Sequence, residues 1–311
     1  MEYRKVAVIG TGVIGASWAT CFLSRGLQVM ASDPAPGAEG RLRALVAQQW
    51  AGAQALGAVP GASQDNLSFH ADPQEAVKDA DFVQENGPER VDIKRQLFAE
   101  LDAAAPDHAI LASSSSGIMA TRFQDACAKP GRVLIGHPFN PPHLIPLVEV
   151  VGGKLTTPET IAAAMAFYAS IGKHPIQINK EVKGHIANRL QAALWREAFG
   201  LVDAGVATVE DIDAAISAGP GLRWAILGPF ANLHLSGGPG GMQHLLDHLG
   251  EPIDGWWQDL STITMSDIIK KKIAEGSDAQ TASWDMAAVV AERDALLIEL
   301  IRRKAELANI P

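Results

Sequence analysis

Residues 136–150 read GHPFNPPHLIPLVEV. One histidine, His137, one asparagine, Asn140, and one glutamate, Glu149, stand among prolines and aliphatic residues that otherwise suit a buried strand. Histidine is the side chain whose free pKa lies nearest neutral pH, so it can accept a proton and return it. A carboxylate on its other ring nitrogen would fix the tautomer and stabilise the imidazolium. The same types are equally at home as hydrogen-bonded groups of a loop and strand, since buried polar groups are nearly always paired. The rest of the chain must decide between the two.

A second constellation lies near the amino terminus. An apolar run, Val6 to Ile9, is followed by GTGVIG at 10–15, then by a helical pattern that reaches Arg25 and stops at Gly26. Gly10, Gly12 and Gly15 have the GxGxxG spacing, with Val13 and Ile14 in the variable positions. Gly10 suits the tight turn, Gly12 a close backbone approach to a pyrophosphate, and Gly15 close packing of helix on strand. The pyrophosphate would rest on free N–H groups at the helix start. The next strand, LQVMASD, ends in Asp33, 18 residues past Gly15. An acid there accepts hydrogen bonds from the ribose hydroxyls and repels a 2′-phosphate. Pro34, Ala35 and Pro36 follow it, with no arginine. The expected cofactor is therefore NAD rather than NADP, and no metal is expected.

The elements that must position these residues alternate in kind. ADFVQENGPE (80–89), AILASSSSG (109–117), RVLIGHPF (132–139), PLVEVVGG and HPIQIN read as strands, and RVDIKRQLFAELDAAA reads as a helix between two of them. This alternation predicts an α/β fold, a Rossmann-type doubly wound parallel sheet with its ligand crevice at the strands' carboxyl ends. Three polar clusters fall at that edge: Glu85 to Glu89, Ser113 to Ser116, and His137 to Asn140. Beyond residue 180 strand signals fade. IANRLQAALWREAFGLVDAG carries apolar residues at helical spacing up to Gly205, and TVEDIDAAISAG starts with Thr208 as N-cap. A long helix closes the chain. We expect an NAD-binding domain over 1–182 and an all-α carboxyl-terminal domain for substrate and dimerisation over 183–311.

The chain has 311 residues, 47% of them hydrophobic and 20% charged, with formal net charge −9. No basic run suits a phosphate backbone, so nucleic acid is not an expected partner. Cys21 and Cys127 are too few for a disulfide framework. No apolar stretch approaches a membrane span, and the first strand begins too early for a signal peptide. A cytoplasmic protein is expected.

In FVQENGPERVDIKRQLF, GHPFNPPHLIPLVEVVGG, LWREAFGLVDAGVAT and GLRWAILGPF, the chain resembles the L-3-hydroxyacyl-CoA dehydrogenase family. It is most similar to the branch acting on small free hydroxy acids, carnitine first and gulonate next. The resemblance implies NAD-dependent oxidation of a 3-hydroxyl. It makes His137 the general base, Glu149 the carboxylate orienting it, Ser116 a hydroxyl touching the substrate oxygen, and Asn140 and Asn188 the asparagines completing the site. It also sets Glu89 and Lys94 near the nicotinamide. Where acyl-CoA members usually carry SNTSS this chain has SSSSG, so Ser114 replaces an asparagine. Acyl-CoA members tend to carry lysines in the segment after the second strand, whereas residues 39–67 here hold Arg41 and Arg43 and no lysine. A small free hydroxy acid is thus the expected substrate. Arg223 is the candidate for its carboxylate, as a forked donor. Trp224, with Trp195, Phe139, Phe230, Trp256 and Trp257, is a candidate face for a quaternary ammonium. The resemblance also implies a homodimer. A crystallin-like NAD-binding structural protein is the non-enzyme alternative.

Overall fold

Val6 and Val8 face one layer of the molecule, Ala7 and Ile9 the other, and all four are essentially inaccessible. This is the behaviour of a strand covered by helices on both faces. The computed structural model describes residues 3–310. The strand, β1 (Lys5–Ile9), lies inside an eight-stranded sheet with β2 (Gln28–Ser32), β3 (Leu67–His70), β4 (Phe82–Glu85), β5 (Ile110–Ser113), β6 (Val133–Pro138), β7 (Leu147–Gly152) and β8 (His174–Ile178). Their spatial order is β3-β2-β1-β4-β5-β6-β7-β8. Helices α1 (Val13–Ser24), α2 (Ala38–Ala55), α3 (Pro73–Val77), α4 (Val91–Ala104) and α5 (Pro158–Ser170) connect the strands.

The fold is the expected Rossmann-type sheet, with one departure from an all-parallel plan. Strand β7 runs antiparallel to β6, and β8 is parallel to β7. The reason is connection length. Residues 139–146 between β6 and β7 are fewer than the dozen or more that a parallel crossover needs. The chain must turn back directly. Strand β3 was not foreseen from the sequence; LSFH is short and of mixed polarity.

Two apolar layers sandwich the sheet. On one side Trp18 and Phe22 of α1 stack with centroids 5.1 Å apart, and Phe82 of β4 stacks on Phe167 of α5 at 4.1 Å. On the other, Phe98 of α4 meets Phe123 at 4.5 Å. Each such side chain contributes about 1.5–3 kcal/mol by leaving water.

The chain divides into two compact units, Met1–Arg189 and Leu190–Pro311. The division falls inside α6 (Ala187–Asp203). Composition assigns residues 183–189 to the helical part, but hydrogen bonds tie them to the sheet: His185 to Ser115, and the N–H groups of Ile186 and Ala187 to Glu149. After α6 come α7 (Val209–Ser217), α8 (Pro220–Trp224), α9 (Pro229–Ser236), α10 (Gly241–Asp259), α11 (Asp267–Thr281) and α12 (Met286–Ala305). Thr208 caps α7 as expected. Its hydroxyl accepts the Asp211 N–H, and the Asp211 carboxylate accepts from Thr208 in return.

Candidate active site

The glycine motif forms the turn between β1 and α1. Gly10 has φ +85°, and a Cβ there would lie 2.9 Å from the Asn86 carbonyl. A Cβ on Gly15 would run into the Gly10 carbonyl oxygen, so helix and turn could not close as they do. Gly12 differs from both: a Cβ there would meet nothing within 4 Å. Its glycine is required by no neighbour in the protein, so the open space beside it suits a ligand that approaches the backbone. Val13 at the helix start is 60% exposed, and Ile14 is half-buried.

A cleft of about 670 Å³ opens here, lined among others by Gly10, Gly12, Asp33, Asn86, Pro88 and Leu97. Asp33 sits just past β2, as the dinucleotide reading requires. The Thr11 N–H donates to its Oδ2 at 2.7 Å and the Ala35 N–H to its Oδ1 at 2.9 Å. The Thr11 hydroxyl also donates to Oδ2, at 3.2 Å, so it is Oδ1 that keeps a further lone pair for a ribose hydroxyl. The residues present fit an NAD adenosine and pyrophosphate.

His137 and Glu149 lie twelve residues apart in sequence because they are directly opposite in the antiparallel β6–β7 pair. His137 is 6% exposed and Glu149 is fully buried. The two are joined through His137 Nδ1 and Glu149 Oε2 at 2.9 Å. The second carboxylate oxygen accepts the Ile186 and Ala187 N–H groups at 2.9 Å each, at the start of α6. Burial by itself would raise the Glu149 pKa. The His137 bond and the two backbone donors outweigh it and hold the carboxyl below its usual 4.5. Glu149 is therefore ionised at neutral pH and can only accept. Nδ1 of His137 must donate, which leaves the lone pair on Nε2.

The serine run forms a fastened turn at the end of β5. Ser113 donates to Glu85 at 2.5 Å, and Ser115 donates to Glu89 at 2.7 Å. Glu89 also accepts the Gly117 N–H at 2.7 Å. Ser114, the departure from the usual asparagine, is fully engaged: it accepts from Trp18 and Gln84 and donates to Asn86. Ser116 alone of the four is exposed.

The remaining candidates are placed as follows. Asn140 is exposed at the head of the β6–β7 loop, and Asn188 is half-buried in the first turn of α6. Lys94, expected at the nicotinamide end, is 1% exposed. Its ammonium donates to both Glu85 oxygens at 2.8 Å and lies 3.9 Å from Glu89. A buried lysine so committed neutralises Glu85 and stiffens the turn rather than reaching into the cleft. Glu89 holds the serine turn. Arg223 and Trp224 end α8 in the second unit, where both are exposed.

Sequence reading missed His185 and Gln84. His185 is buried, with its ring centroid 5.1 Å from that of His137. The one local signal was its position between Gly184 and the start of α6. Gln84 is hidden in β4, where it accepts from the Tyr168 hydroxyl at 2.6 Å.

The family profile described as 3-hydroxyacyl-CoA dehydrogenase, NAD binding domain, matches residues 5–182, and its C-terminal domain matches 184–275. The L-carnitine dehydrogenase of Streptomyces griseus is 49% identical over 98% of this chain and 91% of its own length. That of Bacillus cereus is 48% identical over 96% and 92%. Among solved structures, 5-formyl-3-hydroxy-2-methylpyridine 4-carboxylic acid 5-dehydrogenase, an NAD+-dependent dismutase, superposes with a TM-score of 0.84. It is 33% identical and covers 97% of this chain and 98% of that one.

Proposed function

The chain belongs to the 3-hydroxyacyl-CoA dehydrogenase family, and from that premise we propose that it oxidises the 3-hydroxyl of L-carnitine to the ketone. NAD, when bound, supplies the acceptor for the hydride that leaves the carbinol carbon. The hydroxyl proton goes to Nε2 of His137, whose lone pair is held free by the Nδ1–Glu149 bond. As the imidazolium forms, the buried Glu149 carboxylate stabilises it. Ser116 and Asn188 donate to the oxygen as it becomes a carbonyl, donors of a kind worth about 2.7–4 kcal/mol each. Asn140 completes the polar rim. Asp33 takes the adenosine ribose hydroxyls and disfavours a 2′-phosphate.

The observation that carries this reading is the cross-strand pair, a buried carboxylate held ionised against one nitrogen of a nearly buried histidine. The substrate class rests on the L-carnitine dehydrogenases to which the chain is similar and on the absence of lysine from 39–67.

We also propose a homodimer formed through the helical unit, on whose surface Phe230, Trp256 and Trp257 are 78%, 62% and 67% exposed. A cytoplasmic setting accords with Cys21 and Cys127 being free and buried; burial pushes the Cys127 thiol up to about 12. Among the described residues no helix is long and apolar enough to cross a membrane.

The test is NADH formation from L-carnitine, L-gulonate and 3-hydroxybutyryl-CoA side by side. L-carnitine should give the highest kcat/KM. A higher value with the thioester would overturn the substrate assignment, and NAD binding without turnover on any of them would favour a structural protein.

A further inference from the structure

In GHIANR (184–189), Gly184 and His185 both adopt positive φ, +80° and +52°. For glycine this is unstrained, whereas for a residue with a side chain it is uncommon and unfavourable. His185 is nevertheless 1% exposed. Its ring is inclined at 46° to that of His137. Its Nε2 lies 3.0 Å from the Ser115 carbonyl oxygen. A carbonyl only accepts, so Nε2 carries the proton and Nδ1 keeps a lone pair. Among the described residues, that buried Nδ1 has no hydrogen-bond partner.

Packing does not account for such a residue. A phenyl ring would fill the same space without burying an unpaired acceptor, which is itself unfavourable. What a phenyl ring lacks is the Nε2 donor. Three of the bonds that fasten the 113–117 turn are those of Ser113 to Glu85, of the Ser115 hydroxyl to Glu89, and of the Ser115 carbonyl to His185. Of these three, the last comes from the segment that also holds Glu149, through the Ile186 and Ala187 N–H groups.

We infer that His185 is a positioning residue, binding the turn that carries Ser116 to the segment that caps Glu149 and so fixing the Ser116 donor relative to the His137 base. The inference rests on the reading of His137 as base given above. Burial and, secondarily, the neighbouring His137 hold the His185 pKa below the ordinary histidine value despite the Ser115 bond. The ring thus remains neutral, with a single tautomer, while His137 gains its proton. His185 touches no reacting atom in this scheme; it acts through the turn.

The experiment is steady-state oxidation of L-carnitine by the full chain and its variants His185→Phe, His185→Gln, His185→Asn and His137→Ala, with NADH binding followed by fluorescence. Loss of the Ser115 anchor in His185→Phe should lower kcat between about 10- and 100-fold, the scale of a misplaced catalytic group, and leave KM for NAD within about twofold. His185→Gln, whose amide reaches the Nε2 position, should recover most of that loss. Wild-type kcat in the Phe variant, or a Gln variant as impaired as Phe, would overturn the inference. Should the Phe variant fail to bind NADH, the two amides decide. Gln active with Asn impaired supports it, since Asn reaches only the Nδ1 position, and equal activity of the two overturns it. His137→Ala separates the two readings. Full activity in that variant sinks the base assignment itself, whereas an inactive His137→Ala beside a fully active His185→Phe sinks only the role of His185.

Discussion

In the unit ending at Arg189, the aromatic rings of Trp18, Phe22, Phe82, Phe98, Phe123 and Phe167 are almost wholly withdrawn from solvent. In the unit from Leu190 onward, Trp195, Trp224, Phe230, Trp256 and Trp257 all keep between 45% and 78% of their surface exposed. The sheet unit closes its core against itself and, with that core as a rigid frame, holds Glu149, Glu85 and Lys94 in dry surroundings with every charge answered. The helical unit displays large apolar side chains that its own helices leave uncovered. The contrast matches the two roles proposed above, proton transfer for the sheet unit and association for the helical unit. Proton chemistry needs a low-dielectric frame fixed by internal hydrogen bonds, whereas association needs surface kept available for another molecule.

The largest effect that would test this division lies in the sheet unit. His137→Ala should reduce kcat by roughly 10²–10⁴-fold while NADH binding stays near wild type; equal loss of both would mean the residue supports the fold rather than the reaction. Glu149→Gln comes next. It keeps an acceptor for Ile186 and Ala187 but presents no charge to Nδ1, and kcat should fall by roughly 10²-fold or more. The same variant carries a pH signature. Because the folded carboxyl sits below its usual 4.5, its stabilisation is fully present above that value and is lost as pH falls through the folded pKa. The gap in Tm between wild type and Glu149→Gln should therefore narrow on acidification below about pH 5. A gap independent of pH would show that the charge contributes nothing.

A smaller effect is expected at the dinucleotide turn. Gly12→Ala should leave Tm within about a degree or two, because its methyl enters open space and Gly-to-Ala replacement at a tolerant site is mildly stabilising. It should nevertheless weaken NAD binding. Asp33→Ala should raise KM for NAD about tenfold, the worth of one or two hydrogen bonds, and narrow the preference over NADP. An unchanged cofactor ratio would remove Asp33 from the ribose site. The smallest effect on chemistry belongs to the helical unit. Trp257→Glu should shift sedimentation toward monomer while the thermal stability of the sheet unit changes little. Retention of one species at all concentrations would contradict association through that face.

Local spacing made the nucleotide site readable. Gly10, Gly12, Gly15 and Asp33 belong to one strand–turn–helix–strand unit, whose geometry follows from φ freedom and helix-terminus N–H groups within a few residues. The spacing of His137 and Glu149 was visible too, yet its cause was not, since it expresses register across a reversed strand pair that the short 139–146 connection dictates. The commitment of Lys94 to Glu85, the engagement of Ser114 and the placement of His185 could not be read from the chain. Each depends on partners between 9 and 96 residues away, which converge only when helices pack on the sheet. Residue types and local periodicity thus determine which groups are available and which short-range turns they can make. Which nitrogen of His137 is left free, which carboxylate stays charged, and which serine remains open to a ligand are settled by burial and long-range hydrogen bonds, quantities that exist only in the folded chain.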